Sequence, residues 1–190
     1  MEEFNALLTV DPSDHRAHNN LGLILSRLDR FEDAIAAYDN SLVLNPEYDQ
    51  ARSNRSLLRL ALGDFVGGWE DYLYRDSTGE MTGSFNRDVL PTNLSGKRIA
   101  LYRDQGLGDE IFFLRFAAEL KKRGARISYN PDQKIAGMIG RLDFIDDIVN
   151  DDWPADEFDL CCSLGDLPFL LSNADASGLP PPLELPVLAA

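Results

Sequence analysis

Residues 106–110, Gly106-Leu107-Gly108-Asp109-Glu110, are where this chain could do chemistry. The glycines let a backbone approach a ligand closely. The free N–H groups of a helix start can hold an oxyanion or a hydroxyl. Gly106, Gly108, Asp109 and Arg115 are the residues that could meet a ligand there. The competing reading of Asp109 is a helix N-terminal carboxylate that satisfies orphan N–H groups, worth about 1 kcal/mol. Glu110 points elsewhere and reads as solvated. Arg103 and Arg115 read either as aids to an anionic acceptor or as surface charges. The run is no dinucleotide fingerprint, because Ile111 stands where the third glycine would be, and no Gly-Lys-Ser/Thr phosphate loop follows.

A second constellation is Asn20 and Asn54, which recur 34 residues apart. Amides so placed can hydrogen-bond the backbone of an extended peptide without reading its side chains. The alternative is that both are simply solvated. His15 and His18 have neither a nucleophile nor a metal partner in the sequence and read as helix-surface residues. No metal and no cofactor are expected. Cys161 and Cys162 are adjacent, so in a strand they point to opposite faces and a bridge between them is strained. They read as reduced structural thiols, with a vicinal redox pair as the alternative.

Charge narrows the partners. There are 18 Lys and Arg against 32 Asp and Glu, a net charge of -14. Nucleic acid and anionic membranes reward clustered cations, so neither is expected as a partner. No apolar run approaches the roughly 20 residues of a membrane helix. The acidic start MEEFNALLTV is not a secretory signal. A cytoplasmic location follows.

The elements that must position these residues differ between the two halves. In the first, the sequence repeats at an offset of 34: Pro12 with Pro46, Ala17 with Ala51, Leu23 with Leu57, Leu28 with Leu62, Phe31 with Phe65, Tyr38 with Tyr72. Leu21, Ile24, Leu25 and Leu28 line one face of a helix. Phe31, Ala34, Ile35, Tyr38 and Leu42 form the stripe of a second. The period and the residues Leu21, Gly22, Ala34, Tyr38 and Pro46 resemble the tetratricopeptide repeat, with His18 in place of the usual tryptophan. Helices are expected at 15–28, 32–44, 48–62 and 65–75, with residues 1–12 as the tail of an earlier unit. The second unit is degenerate, because Arg55, Ser56 and Arg59 replace Leu21, Gly22 and Leu25. The asparagine pair resembles the asparagine ladder of the O-linked N-acetylglucosamine transferase superhelix. The resemblance implies a protein or peptide partner in the repeat groove.

After a polar stretch at 76–96, read as a linker, strands and helices alternate. Strands are expected at 99–103, 126–130, 146–149 and 159–163. Phe113, Phe116, Ala117 and Leu120 mark one helix, and Ile135, Met138, Ile139 and Leu142 another. Lys121, Lys122 and Arg123 complement the first helix's dipole. Such alternation implies a parallel sheet. The stretch GKRIALYRDQGLGDEIFFLRFAAELKKRGARISY resembles the opening of the heptosyltransferase-like glycosyltransferases, family nine. The order repeats, Gly-Trp-Glu, Gly-Leu-Gly-Asp resembles bacterial repeat proteins of that kind. The resemblance implies an acceptor-side Rossmann domain, a sugar acceptor, and Asp109 as the base that takes the acceptor's proton. It also implies a second Rossmann domain for the nucleotide sugar, which 190 residues do not hold, so the chain reads as truncated and inactive alone.

The expected fold is α + α/β: a short tetratricopeptide helical solenoid at 1–75, a linker at 76–96, and a small Rossmann-like parallel α/β domain at 97–190. A non-enzymatic interaction module is the alternative function. A homodimer is expected from apolar residues left uncovered, Phe4, Leu7 and Leu8 at one end and Phe169, Leu170, Leu171, Leu179 and Leu183 at the other.

Overall fold

The computed structural model describes residues 12–75, 85–103, 106–149, 157–171 and 180–184. The chain divides into two compact units, Met1–Asp76 and Ser77–Ala190. The fold is α + α/β. Among the described residues, no helix is long and apolar enough to cross a membrane. The helix expected before Pro12 lies outside the described residues.

The first unit is two helix pairs: α1 (His15–Arg27) with α2 (Phe31–Leu44), and α3 (Asp49–Ala61) with α4 (Phe65–Tyr72). Asp14 caps α1 by accepting the Arg16 N–H at 2.8 Å, and Asp64 caps α4 by accepting the Gly67 N–H at 3.0 Å. Each pair turns through a left-handed residue at the same repeat position, Asp29 at φ 57° and Gly63 at φ 86°. Leu25, Ala34, Ala37, Tyr38 and Leu58 form the core, with Leu21, Phe31 and Ile35 packed against it. Gly22 is required by that packing, since a Cβ there would lie 2.6 Å from the Tyr38 ring.

The altered residues of the second pair are not loosened packing. Arg55 forks onto Asp71 with two bonds of 2.7 Å and also reaches Asp39. Arg59 adds a 3.0 Å bond to Asp71. Asp71 is buried at 5% exposure, which its two cationic partners permit. At an offset of 34, Arg55, Arg59 and Asp71 replace Leu21, Leu25 and Ala37 of the first pair. An ion cluster has taken the place of apolar contacts.

The second unit is a four-stranded parallel sheet in the order β3-β2-β1-β4. The strands are β1 (Arg98–Tyr102), β2 (Arg126–Asn130), β3 (Asp147–Ile148) and β4 (Leu160–Ser163). The helices are α5 (Leu107–Lys122), the four-residue α6 (Ala136–Ile139) and α7 (Leu167–Leu170). The α5 stripe Phe113, Phe116, Ala117 and Leu120 is buried as its spacing requires. The central strands bury Ile99, Ala100, Leu101, Ile127 and Tyr129, the near-continuous apolar pattern of strands covered on both faces.

Three features depart from or add to what the sequence leads one to expect. The described part of the supposed linker, 85–96, is a strap fastened to the α/β unit. Leu90 and Leu94 are buried in it. The N–H groups of Asn86, Leu90 and Leu94 donate to the carbonyls of Cys161, Leu170 and Arg123 at 2.7–2.8 Å. Secondly, Arg123 stands at the C-cap of α5, where it complements the dipole as expected, and does more. It is buried, and its guanidinium donates to the carbonyls of Leu90, Pro91 and Leu171. Thirdly, the apolar patch expected at the C-terminal end is largely absent. Leu170 and Leu171 are buried, and Phe169 and Leu183 are half-buried. Phe4, Leu7, Leu8 and Leu179 lie outside the described residues.

Candidate functional site

The sheet order creates a switch point. From β1 the chain builds outward through β2 and β3 on one side, while β4 lies on the other. Ligands of open α/β sheets bind outside the carboxyl ends of the two strands where the order reverses. Here those ends are Tyr102 and Ser163, which are paired in register. Gly106 is the extended N-cap of α5, and no side chain caps that helix. Gly106, Leu107, Gly108 and Asp109 are all exposed. Neither glycine has a positive φ. Among the described residues, a Cβ on Gly108 would meet nothing within 4 Å, and one on Gly106 only Asp109 Oδ2 at 3.8 Å. The chain's own conformation and packing therefore do not account for either glycine.

Asp109 thus stands in the first turn of α5 facing open space, with Gly106 and Gly108 beside it. Arg115 does not join them. Its Nε donates to the Phe112 carbonyl at 3.0 Å, and its guanidinium lies 4.4 Å from the Phe112 ring. Arg103 is turned to the end of β2, where it donates to Asn130 Oδ1 at 3.0 Å and to the Pro131 carbonyl at 2.6 Å.

Glu110, expected in solvent, is buried at 3% exposure. Its Oε1 accepts the Tyr129 hydroxyl at 2.6 Å and the Asp132 N–H at 2.9 Å. This carboxylate ties the first turn of α5 to the carboxyl end of β2, and so fixes the direction in which Asp109 points. Leu-Gly-Asp also recurs, unremarked in the sequence, as Leu62-Gly63-Asp64 in the repeat unit and, after β4, as Leu164-Gly165-Asp166. The two triplets of the α/β unit stand after neighbouring strands, one with an exposed aspartate and one with a buried aspartate. A search for short internal echoes would have found all three.

The thiols of β4, Cys161 and Cys162, are unbridged. Burial pushes Cys162 up to about 12, with Asp166 and Cys161 adding to the shift. Burial also raises Cys161, and its bond with Tyr102 opposes that in part. Both favour the neutral thiol, which is a poor nucleophile. Among the described residues, no cluster of three or more His, Cys, Asp and Glu could hold a metal ion.

In the repeat unit the asparagine pair is unequal. Asn20 is exposed, whereas Asn54 is half-buried. The Asn54 amide donates to Asn19 Oδ1 at 3.0 Å across the α1–α3 seam, and Gln50 donates to Asn54 Oδ1 at 3.4 Å. Asn19 is buried, and its amide reaches Asn20 Oδ1 at 3.5 Å. Asn54 is therefore part of a seam between helices as well as of its surface. Asn54→Ala strands the buried Asn19 and should cost about 1–2 kcal/mol, against a few tenths for Asn20→Ala. Urea unfolding of the two variants checks the contrast, and equal losses would remove the seam role. The histidines also differ from a surface reading. His18 Nε2 meets the Pro12 carbonyl at 3.0 Å, and the His15 ring packs edge-on against Tyr48 at 4.7 Å.

A peroxisomal targeting signal receptor of Candida glabrata is 34% identical over 90 residues, which is 47% of this chain and 15% of the receptor. Protein FlbA of Caulobacter vibrioides is 26% identical over an alignment covering 63% of this chain and 27% of its own. The chain thus spans well under a third of the length of these curated relatives. A solved O-GlcNAc transferase mutant of Thermobaculum terrenum covers 80% of this chain and 30% of its own, at 20% identity and a TM-score of 0.36. Residues 15–48, the first helix pair, match the family model of the tetratricopeptide repeat, a repeat of protein interaction.

Proposed function

We propose that the repeat unit binds a protein or peptide and that the α/β unit takes a hydroxyl-bearing acceptor, as the acceptor-side half of a repeat-containing, heptosyltransferase-like glycosyltransferase. The open helix start at the switch point, with two glycines that packing does not explain, carries this reading. Asp109 would accept the proton of the acceptor hydroxyl as the acceptor oxygen bonds to the sugar carbon and that carbon's bond to the phosphate oxygen of the nucleotide sugar breaks, releasing the nucleotide, and the first N–H groups of α5 would hold the acceptor in place. Glu110 sets the helix start and does not touch the acceptor. Arg115 drops out of the binding set, because it is held against Phe112. The domains in this proposal are the repeats at 1–75 and the α/β domain at 97–190 with its strap. The unbridged cysteines fit a reducing compartment, the cytoplasm. The repeat half is supported by the match at 15–48 and by relatives named as receptors for a targeting signal.

One carboxylate cannot bind a donor, stabilise a leaving group and deprotonate an acceptor together. The chain alone should therefore transfer no sugar from a nucleotide sugar. Titration of the labelled chain with simple mono- and disaccharides and serine peptides tests the acceptor site. The amides of Gly106, Gly108 and Asp109 should shift, and Asp109→Asn should weaken the effect with the fold intact, since the exposed carboxylate contributes at most about 1 kcal/mol. If the whole panel leaves those amides unmoved, the α/β unit is structural and the non-enzymatic interaction module stands. Arg115's withdrawal onto Phe112 favours that second reading. Sugar transfer by this chain alone, abolished by Asp109→Ala, would contradict the half-enzyme assignment.

A further inference from the structure

The strap delivers an aromatic ring to the switch point. Phe85 lies edge-on to Tyr102, with ring centroids 5.1 Å apart and planes at 79°. The N–H of the next residue, Asn86, donates to the Cys161 carbonyl at 2.8 Å. The Tyr102 hydroxyl and the Cys161 thiol are hydrogen-bonded as well. Both rings are thereby fixed at the carboxyl ends of β1 and β4, the two strands between which the sheet order reverses. Yet neither is a core residue. Leu90 and Leu94 fasten the same strap and are 3% and 1% exposed, whereas Phe85 and Tyr102 are left half-buried.

Tyr129, the register partner of Leu101, reaches Glu110 of α5. Side chains alternate along a strand, so Tyr102 points to the other face of the sheet. The aromatic pair and Asp109 therefore flank the carboxyl edge of the sheet from its two sides. Four residues separate Tyr102 from Gly106, which puts their Cα atoms no more than about 14 Å apart. The two arginines at this end are turned to backbone carbonyls, Arg103 to that of Pro131 and Arg115 to that of Phe112. Neither is aimed across that gap at a phosphate or a carboxylate. What faces a ligand is one exposed carboxylate and two half-open rings. A sugar matches both. Its hydroxyls donate to a carboxylate, and the polarised C–H groups on the face of its ring are drawn to the negative face of an aromatic ring.

We propose that Phe85 and Tyr102 form a second subsite that stacks on a sugar ring, so that the acceptor is an uncharged saccharide of more than one ring. One ring presents its hydroxyl to Asp109, and the neighbouring ring crosses the edge of the sheet and lies on the aromatic pair. The inference rests on the acceptor reading of the α/β unit and adds the class of acceptor to it. It also gives the strap a part in recognition, since Phe85 comes from the strap and Tyr102 from the sheet.

The test follows the full chain by NMR with cellobiose, lactose, maltose and chitobiose, their monosaccharides, a glucuronate-bearing disaccharide and a serine peptide. At least one neutral disaccharide should bind more tightly than its monosaccharides. Its ring protons should move upfield, as protons over an aromatic face do, and should receive magnetisation from the Phe85 and Tyr102 rings. Phe85→Leu keeps the apolar bulk and should weaken that disaccharide about fivefold, and Phe85→Trp should restore it. Val89→Ser, at a strap residue 49% exposed, should leave binding unchanged. Disaccharides that shift the Gly106, Gly108 and Asp109 amides but bind Phe85→Leu like the parent would overturn the subsite and leave the acceptor reading standing. Loss in both Phe85 variants without any upfield shift would reduce Phe85 to a fastening of the strap. Tighter binding of the glucuronate sugar would overturn the preference for an uncharged acceptor. A serine peptide that alone shifts those amides would make the acceptor a peptide and overturn the proposal. Amides that no ligand moves would remove the acceptor reading and the subsite together.

Discussion

Replacing Asp71 by alanine should destabilise the repeat unit by roughly 3–5 kcal/mol, because it leaves two guanidiniums facing each other without their shared carboxylate. Arg55 shows how strongly that carboxylate acts. Burial alone would lower its pKa, yet the bonds to Asp71 and Asp39 raise it. Arg55 keeps only 15% of its side chain exposed and Asp71 6%, so water screens the lost pair poorly. The repeat supplies the compensating experiment. Arg55→Leu/Arg59→Leu/Asp71→Ala rebuilds in α3 and α4 the residues that α1 and α2 carry at the same positions. The triple variant should recover most of the loss, since apolar replacement of a buried ion cluster is often neutral or stabilising. Urea unfolding followed by far-UV circular dichroism measures both. A single-variant loss below about 1 kcal/mol would reduce the cluster to an ordinary surface ion pair.

An effect of similar size is expected at Arg123, in the other unit. Its guanidinium donates to the Leu90 and Pro91 carbonyls of the strap and to the Leu171 carbonyl after α7. Arg123→Ala removes the donor to these carbonyls inside a buried site, at a cost of about 3–5 kcal/mol. Arg123→Lys keeps the charge but loses the fork, and should fall between the variant and the parent. Limited proteolysis gives a second readout. The alanine variant should be cut within 85–96 faster than the parent. Equal melting temperatures for Arg123→Ala and the parent would mean that the strap is held by its leucines and backbone bonds alone.

Much of this architecture is legible in the sequence because it is periodic. The offset of 34 sets the four repeat helices to within a few residues, and alternation of short apolar runs with helical stripes sets the sheet. What escapes is irregular or is satisfied by a distant partner. Leu90 and Leu94 stand singly in a polar stretch, and no period announces that they are buried. Glu110 follows an exposed aspartate in a helix's first turn, and nothing local shows that Tyr129, nineteen residues on, will cover it. Asn19 and Asn20 are equivalent on paper. Only the seam decides that Asn54 bonds to the first, at a separation of 35, and not to its repeat equivalent. The ion cluster was visible as substitutions, Arg55 and Arg59 for leucines, but its third member is understood only once Asp71 is seen between them.

The strap has a consequence for how such proteins recombine. Exchange between proteins succeeds when the transferred block carries all the contacts that close its own core. Judged by secondary structure, the block would start at β1. Judged by where Leu90 and Leu94 are buried and where Asn86 is bonded, it starts with the irregular residues ahead of β1. A crossover placed between them and Lys97 would hand one descendant an α/β unit with an open flank, and the other a useless apolar tail. The stretch that looks most dispensable is therefore the one a viable crossover must leave attached to the sheet.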